Sequence, residues 1–305
     1  MSTQARVTAH AKLNLFLHVL DRRPDGYHDI ATWLVRLALG DDIVVRVRPD
    51  GAGSRVDIRS VSRVGRSVDC RGADVGPPER NLALRAANAY ADAARWPDGF
   101  AIDIDKQIPV GGGLGGGSAD AAAVLRALDA LAPQPLGEDR LRAIAAGLGS
   151  DVPYLVSTDP AAFATGRGEY LLKMPSLGEA HVGLVCPPFG VATAEAYAWL
   201  DADRAAAGWQ PKAVRYDNLW AWTSFPRDAS NDLEPPVSRR HPEIARYIRA
   251  LSDAGAHSAG MSGSGSTVFG VFDAAPDAAA LERAVRAPVL LTHTLERIDA
   301  VQLID

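Results

Sequence analysis

The chain has 305 residues, 47% hydrophobic and 23% charged, with a formal net charge of −5; it can bury a large core in one or two domains, and it lacks the clustered Lys and Arg of a general nucleic-acid binder. Cys70 and Cys186 form neither a metal spacing nor a disulfide framework, no run of about 18 uncharged apolar residues offers a membrane span, and Met1–His10 lacks the order of a leader peptide. A protein of the reducing cytoplasm with a small-molecule partner, no nucleic acid and no membrane is the expectation.

From the N-terminus, Val7, Ala9, Ala11, Leu13, Leu15, Leu17 and Val19 alternate with Thr8, His10, Lys12, Asn14, Phe16 and His18. This alternation predicts a strand with one buried and one polar face, Lys12 and Asn14 side by side on the polar one. Pro24-Asp25-Gly26 carries turn chemistry. Asp42–Arg48 and Phe100–Lys106 read as strands, and Asn81–Arg95 as an alanine-rich helix. A glycine-rich run, Pro109-Val110-Gly111-Gly112-Gly113-Leu114-Gly115-Gly116-Gly117-Ser118-Ala119, then leads into a helix from Ser118 to Leu131. Ser118 is placed to cap that helix and Asp120 falls in its first turn. Pro133 and Pro135 end it, and Leu136–Leu148 forms another, stopped by Gly149. A domain boundary is expected near residues 157–168. Beyond it, His181–Cys186 and Thr267–Phe272 read as strands, and Ala194–Ala206, Pro242–Ala254 and Ala278–Arg286 as helices. Residues 208–236 show no clean period and read as an irregular insertion or linker.

The glycine run sits between a strand and a helix, so its N–H groups and the helix N-terminus can converge on anionic oxygens. It contains G-x-G-x-x-G at Gly111, Gly113 and Gly116, by itself a weak dinucleotide signal. Here the following helix runs into Pro133-Gln134-Pro135 and a second helix, which is the wrong context for that fold. A P-loop needs Gly-Lys-Ser/Thr, and this run offers Gly-Gly-Ser. A bare turn has no need of six glycines in seven residues, each costly to order.

In this setting the chain resembles the GHMP kinase superfamily, whose phosphate loop reads Pro-x-x-x-Gly-Leu-Gly-x-x-Ser-Ser/Ala; Pro109, Gly113, Leu114, Gly115, Ser118 and Ala119 fit it. Further blocks stand in the family's order over nearly the whole chain: Ala11–Leu17 with Arg23–His28, Gly149–Pro153, Gly166–Glu169, Ser230–Glu234 and Met261–Ser266. They are similar to the branch that uses ATP to phosphorylate the 2-hydroxyl of 4-diphosphocytidyl-2-C-methyl-D-erythritol, in the non-mevalonate route to isoprenoid precursors. The resemblance implies a two-domain α+β fold, with an ATP-binding α/β domain over residues 1–160 and a ferredoxin-like α/β domain over 161–305.

It also implies roles. Asp151 matches the catalytic carboxylate that accepts the hydroxyl proton; its plainer alternative is a helix N-cap. Lys12 matches the catalytic lysine that stabilises charge on the transferred phosphoryl group; otherwise it is a solvated strand lysine. Asn14 is placed to position the substrate hydroxyl. Tyr27 and His28 resemble a cytosine-binding pair, and Tyr197 either closes the other face of the base or packs in a helix core. Lys106 and Pro109 are expected to border the adenine pocket, and the whole run from Pro109 to Ala119 to hold ATP. Gly263–Ser266 is a second glycine-rich loop near the phosphates, or an ordinary turn. Magnesium is expected with ATP, Ser118 being a candidate ligand, though the sequence shows no protein cage for it. The resemblance leaves monomer or homodimer open. Tyr27-His28 speaks against a non-nucleotide acceptor, and Lys12 with Asp151 against a non-catalytic binding protein.

Overall fold

The computed structural model describes residues 3–48, 55–60, 80–96, 99–208 and 230–305. Cys70 and most of the 208–236 segment therefore lie outside the described residues. The first sheet is built on a long antiparallel hairpin, β1 (Gln4–Arg22) and β2 (His28–Arg48). The Pro-Asp-Gly turn closes it: Gly26 has φ of 88° and its N–H donates to the Arg23 carbonyl at 3.0 Å. The second strand is much longer than the expected Asp42–Arg48 segment, because its first half is buried on both faces and its sequence shows no period. One edge of β2 carries two partners in succession, β5 (Ala161–Gly166) along Ile30–Val35 and β4 (Gly99–Lys106) along Asp42–Arg48. The sheet order is β11–β1–β2–β4–β3, with β3 at Arg55–Ser60, β11 at Gln302–Ile304, and β6 (Tyr170–Lys173) beside β5.

Strand β1 departs from the one-face reading. Lys12 and Asn14 are 4% and 5% exposed, so the polar face is buried too. Register shifts between His10 and Lys12 and between Asn14 and Phe16 re-aim the side chains. Helix α2 (Gly116–Leu131) covers the sheet, and its small buried residues Ala119, Ala121, Ala122, Ala123 and Ala127 let the backbones approach closely. Helices α1 (Leu82–Ala94), α3 (Glu138–Leu148) and α4 (Val152–Val156) complete the layer. Asn81 caps α1, accepting from Ala83 N at 2.9 Å.

The second sheet is antiparallel, in the order β10 (Val289–His293), β7 (His181–Val185), β9 (Val268–Phe272), β8 (Ser258–Met261). With α5 (Thr193–Ala206), α6 (Glu234–Arg240) and α7 (Pro242–Asp253) after β7 and α8 (Ala278–Val285) after β9, the chain order is βαββαβ, the ferredoxin-like pattern. On α7 the buried residues Ile244, Tyr247 and Leu251 fall on one helical face. The division expected at 160/161 does not coincide with a sheet boundary, since β5, β6 and β11 all join the first sheet. Helix α6 begins at Glu234, inside the segment read as irregular.

Two apolar cores result. The larger lies between the first sheet and its helices; the second lies under α5–α8 and takes in Leu17, Val19 and Ile30 from the tip of the β1–β2 hairpin. The hairpin thus runs from one core into the other, and its middle crosses a cleft.

Candidate active site

The glycine run wraps the N-terminus of α2. Gly111, Gly113 and Gly115 have φ of 74°, 79° and 73°, a conformation that side-chain-bearing residues rarely adopt. Three consecutive carbonyls turn inward: Gly112 O accepts from Thr267 N at 3.1 Å, Gly113 O from Ser262 Oγ at 3.0 Å, and Leu114 O from Lys12 N at 3.0 Å. With its carbonyls taken by the protein, the loop leaves its N–H groups and the free first-turn amides of α2 for an anion. The packing also demands glycine: a Cβ on Gly113 would fall on the Ser262 carbonyl oxygen, and one on Gly112 would lie 2.6 Å from Thr267 Oγ1.

The left-handed Gly115 is the N-cap residue, so α2 starts at Gly116. Ser118 is therefore not the cap expected from sequence; it sits in the first turn and lines the cleft. Asp120 is pushed beyond the first turn and points inward, where Lys106 Nζ donates to it at 2.8 Å and also to Asp41. Asp41 in turn accepts from Gln107 N at 2.5 Å and Ile108 N at 2.8 Å. Burial pushes the Asp120 carboxyl up to about 8 against the pull of Lys106. Burial opposes the charge on Lys106, but Asp120 and Asp41 outweigh it and raise its pKa. Lys106 therefore braces the loop from beneath, 5% exposed, and is not among the residues that line the cleft.

At the centre, Lys12 Nζ donates to Asn14 Oδ1 at 2.6 Å and stands 3.6 Å from Asp151 Oδ2. Asn14 Nδ2 donates to Thr32 Oγ1 at 2.8 Å, and Thr32 donates to the Phe16 carbonyl at 2.6 Å. This chain fixes the Asn14 amide and so aims the ammonium of Lys12; Asn14 orients the lysine first, and only its spare lone pair is left for a ligand. Asp151 occupies the N-cap position of α4 yet makes no side-chain cap bond, and its carboxylate is about one-third exposed.

At the other end, Tyr27 is 56% exposed, with the Arg167 guanidinium carbon 5.0 Å from its ring centroid. His28 stacks on Tyr197 at 5.0 Å and 24°, and its Nε2 lies 2.8 Å from Asp201 Oδ1. Burial and the nearby charge of Asp151 push the Tyr197 hydroxyl up to about 12. Tyr197 and Asp201 are four residues apart on α5, so one helical face both stacks on the imidazole and fixes its nitrogen. Tyr197 packs against the second core, as the plainer of its two expected roles has it, and its ring also lines the cleft.

One cavity of about 930 Å³ joins these parts. Of the sequence-predicted residues it brings together Lys12, Asn14, Tyr27, His28, Gly111, Gly113, Gly115, Ser118, Asp151 and Tyr197. Leu114 and Ala119 are buried in the larger core, Val110 is 44% exposed, and Pro109, Gly112, Gly116 and Gly117 shape the loop behind its cleft-facing residues. The second glycine loop also lines the cavity through Gly263, Ser264 and Gly265, held by Asn231 Nδ2, which donates to the carbonyls of Met261 at 2.8 Å and Gly263 at 2.7 Å. Sequence reasoning missed Asp201, Arg22, Asn231 and Arg167 as individual contributors; the i+4 spacing from Tyr197 was a readable signal for Asp201. Among the described residues no group of three or more His, Cys, Asp or Glu is arranged to hold a metal. No helix among them is long and apolar enough to cross a membrane.

Residues 81–167 match the GHMP kinases N terminal domain and residues 221–289 the GHMP kinases C terminal domain. The chain is 39% identical over 277 residues to a 4-diphosphocytidyl-2-C-methyl-D-erythritol kinase of Desulfotalea psychrophila, covering 89% of this chain and 87% of that one. It is 37% identical over 305 residues to one of Desulfitobacterium hafniense, covering 96% and 97%. A crystal structure of 4-(cytidine 5'-diphospho)-2C-methyl-D-erythritol kinase superposes with a TM-score of 0.69 at 32% identity, over 95% of this chain and 99% of that chain. A homoserine kinase from Cytophaga hutchinsonii shares the fold at a TM-score of 0.68 and 16% identity, over 100% and 98% of the two chains.

Proposed function

The chain belongs to the 4-diphosphocytidyl-2-C-methyl-D-erythritol kinase family within the GHMP kinases, and on that premise we infer that it transfers the γ-phosphoryl group of ATP to the 2-hydroxyl of 4-diphosphocytidyl-2-C-methyl-D-erythritol, a step of isoprenoid precursor biosynthesis. One observation carries the reading of the site: a single cavity runs from a glycine cradle, past a lysine–aspartate pair, to an aromatic end. The cradle suits a polyphosphate, the pair suits phosphoryl transfer to an alcohol, and the aromatic end suits a base.

In this reading Asp151, free of capping duty, orients the acceptor hydroxyl and takes its proton as the oxygen attacks the γ-phosphorus. The bond from that phosphorus to the bridging oxygen of ADP breaks in line. Lys12, aimed by Asn14, offers positive charge to the equatorial oxygens of the group in transit. Tyr27 stacks on one face of the cytosine, and His28, backed by the Tyr197 ring, reads its edge. Magnesium, as the partner of ATP, would neutralise phosphate charge, and the Ser118 hydroxyl, on the first turn of α2 and in the cleft, would be its protein ligand. The donor set fits such an ion, which usually takes most of its ligands from phosphate and water. We place the enzyme in the cytoplasm, acting on a small molecule in the cleft between its two domains.

The test is Asp151→Asn, assayed for turnover and for ATP affinity. Turnover should fall by about a hundredfold to ten-thousandfold with ATP binding kept. Near-normal turnover would remove Asp151 from the role of base.

A further inference from the structure

We propose that Arg167 binds the diphosphate linking cytidine to the acceptor end of the substrate, a role that rests on the reading above. A substrate with its base at Tyr27 and its hydroxyl at Asp151 must lay two phosphates between them. Arg167 stands at that junction. Its guanidinium carbon lies 5.0 Å from the Tyr27 ring centroid, and a Cβ on the next residue, Gly168, would meet the carbonyl oxygen of Ser150 at 3.3 Å. Ser150 is the neighbour of Asp151, so the turn Gly166-Arg167-Gly168 touches the base end on one side and the reaction centre on the other.

The turn is held in place. Gly166 and Gly168 have φ of 70° and 117°, Gly168 N donates to the Thr165 carbonyl at 3.1 Å, and Arg167 N donates to Glu169 Oε2 at 2.5 Å. Of the other cations lining the cavity, Lys12 is engaged by Asn14 and Asp151, and Arg22, 64% exposed, faces Asp201 at 3.7 Å, away from the Ser150–Asp151 side of the turn. The guanidinium of Arg167 makes no hydrogen bond among the described residues, and its closest carboxylate oxygen, Glu169 Oε1, is 3.8 Å from Nε. A one-third exposed guanidinium facing the cavity offers a planar fork that matches two phosphate oxygens at once.

Calorimetric binding of CDP and of cytidine, with the ATP site filled by a non-hydrolysable analogue, tests this. Wild type should prefer CDP. Arg167→Gln should weaken CDP by about tenfold to a hundredfold, the range of one charge-assisted contact, and leave cytidine unchanged. Arg167→Lys should restore part of the loss. KM for the full substrate should rise in parallel while KM for ATP stays. Equal CDP affinity in wild type and Arg167→Gln would overturn the assignment, as would an equal loss of CDP and cytidine, which would mean that the arginine only supports the Tyr27 ring. A wild type that binds neither nucleotide while holding the ATP analogue would instead bring down the base-end reading, and the proposal with it.

Discussion

The two ends of the cavity are built by opposite means. The phosphate end is one continuous stretch whose chemistry belongs to the backbone, with three left-handed glycines and three carbonyls turned inward. The base end has no continuous stretch. Tyr27 and His28 come from the hairpin, Tyr197 and Asp201 from α5, and Arg167 from the turn after β5. A backbone site tolerates few substitutions anywhere along it, whereas a side-chain site can lose one member and keep its shape.

The sharpest way to break this contrast is Gly113→Ala. A Cβ there strikes the Ser262 carbonyl in a conformation that alanine resists, so the variant should lose about 2–4 kcal/mol of stability and most ATP affinity. Gly111→Ala, with nothing within 4 Å of the added carbon, should cost about 1 kcal/mol in the same denaturation experiment. Equal costs would mean that contact with the second glycine loop is unimportant. A smaller effect is expected at the other end. Asp201→Ala frees the His28 ring while Tyr197 still stacks on it, so KM for the cytidine substrate should rise about tenfold, with kcat and KM for ATP unchanged. A fall in ATP affinity would show that the two ends are not separable.

The smallest effect should touch both ends equally, because both hang on β1. Burial, with the charge of Arg36 adding to it, pushes His10 down to about 4. Its folded pKa lies below the ordinary value, so the unfolded chain binds the extra proton between about pH 6.5 and 4, and stability falls as pH falls through that window. At pH 5.5 the loss should be about 1 kcal/mol, and His10→Gln should flatten that part of the pH profile without altering the ratio of the two substrates' KM values.

Legibility followed the same division. Glycine reports a backbone need directly, so the phosphate cradle could be read from residue types alone; period two gave β1, and β7, β9, α5, α7 and α8 were expected close to their observed limits. What escaped was tertiary. The left-handed turn at Gly115 starts α2 earlier than Ser118, and that shift sends Asp120 inward to meet Lys106. No local pattern shows that a lysine before a glycine loop is claimed by Asp41 and Asp120 together. The burial of Lys12 and Asn14 follows from the two glycine loops packed against them, Gly115 on one and Gly263 on both, which alternation along a single strand does not encode.

The inward carbonyls tie the loop to distant parts of the chain. Two of the three, at Gly112 and Gly113, are satisfied by Thr267 and Ser262, the latter 149 residues downstream. The segment from Pro109 to Ala119 is therefore not a portable cassette. Transplanted onto another strand–helix junction it would keep its sequence but lose the partners that turn its amides outward, and a motif search on such a chimera would report a nucleotide site that does not exist.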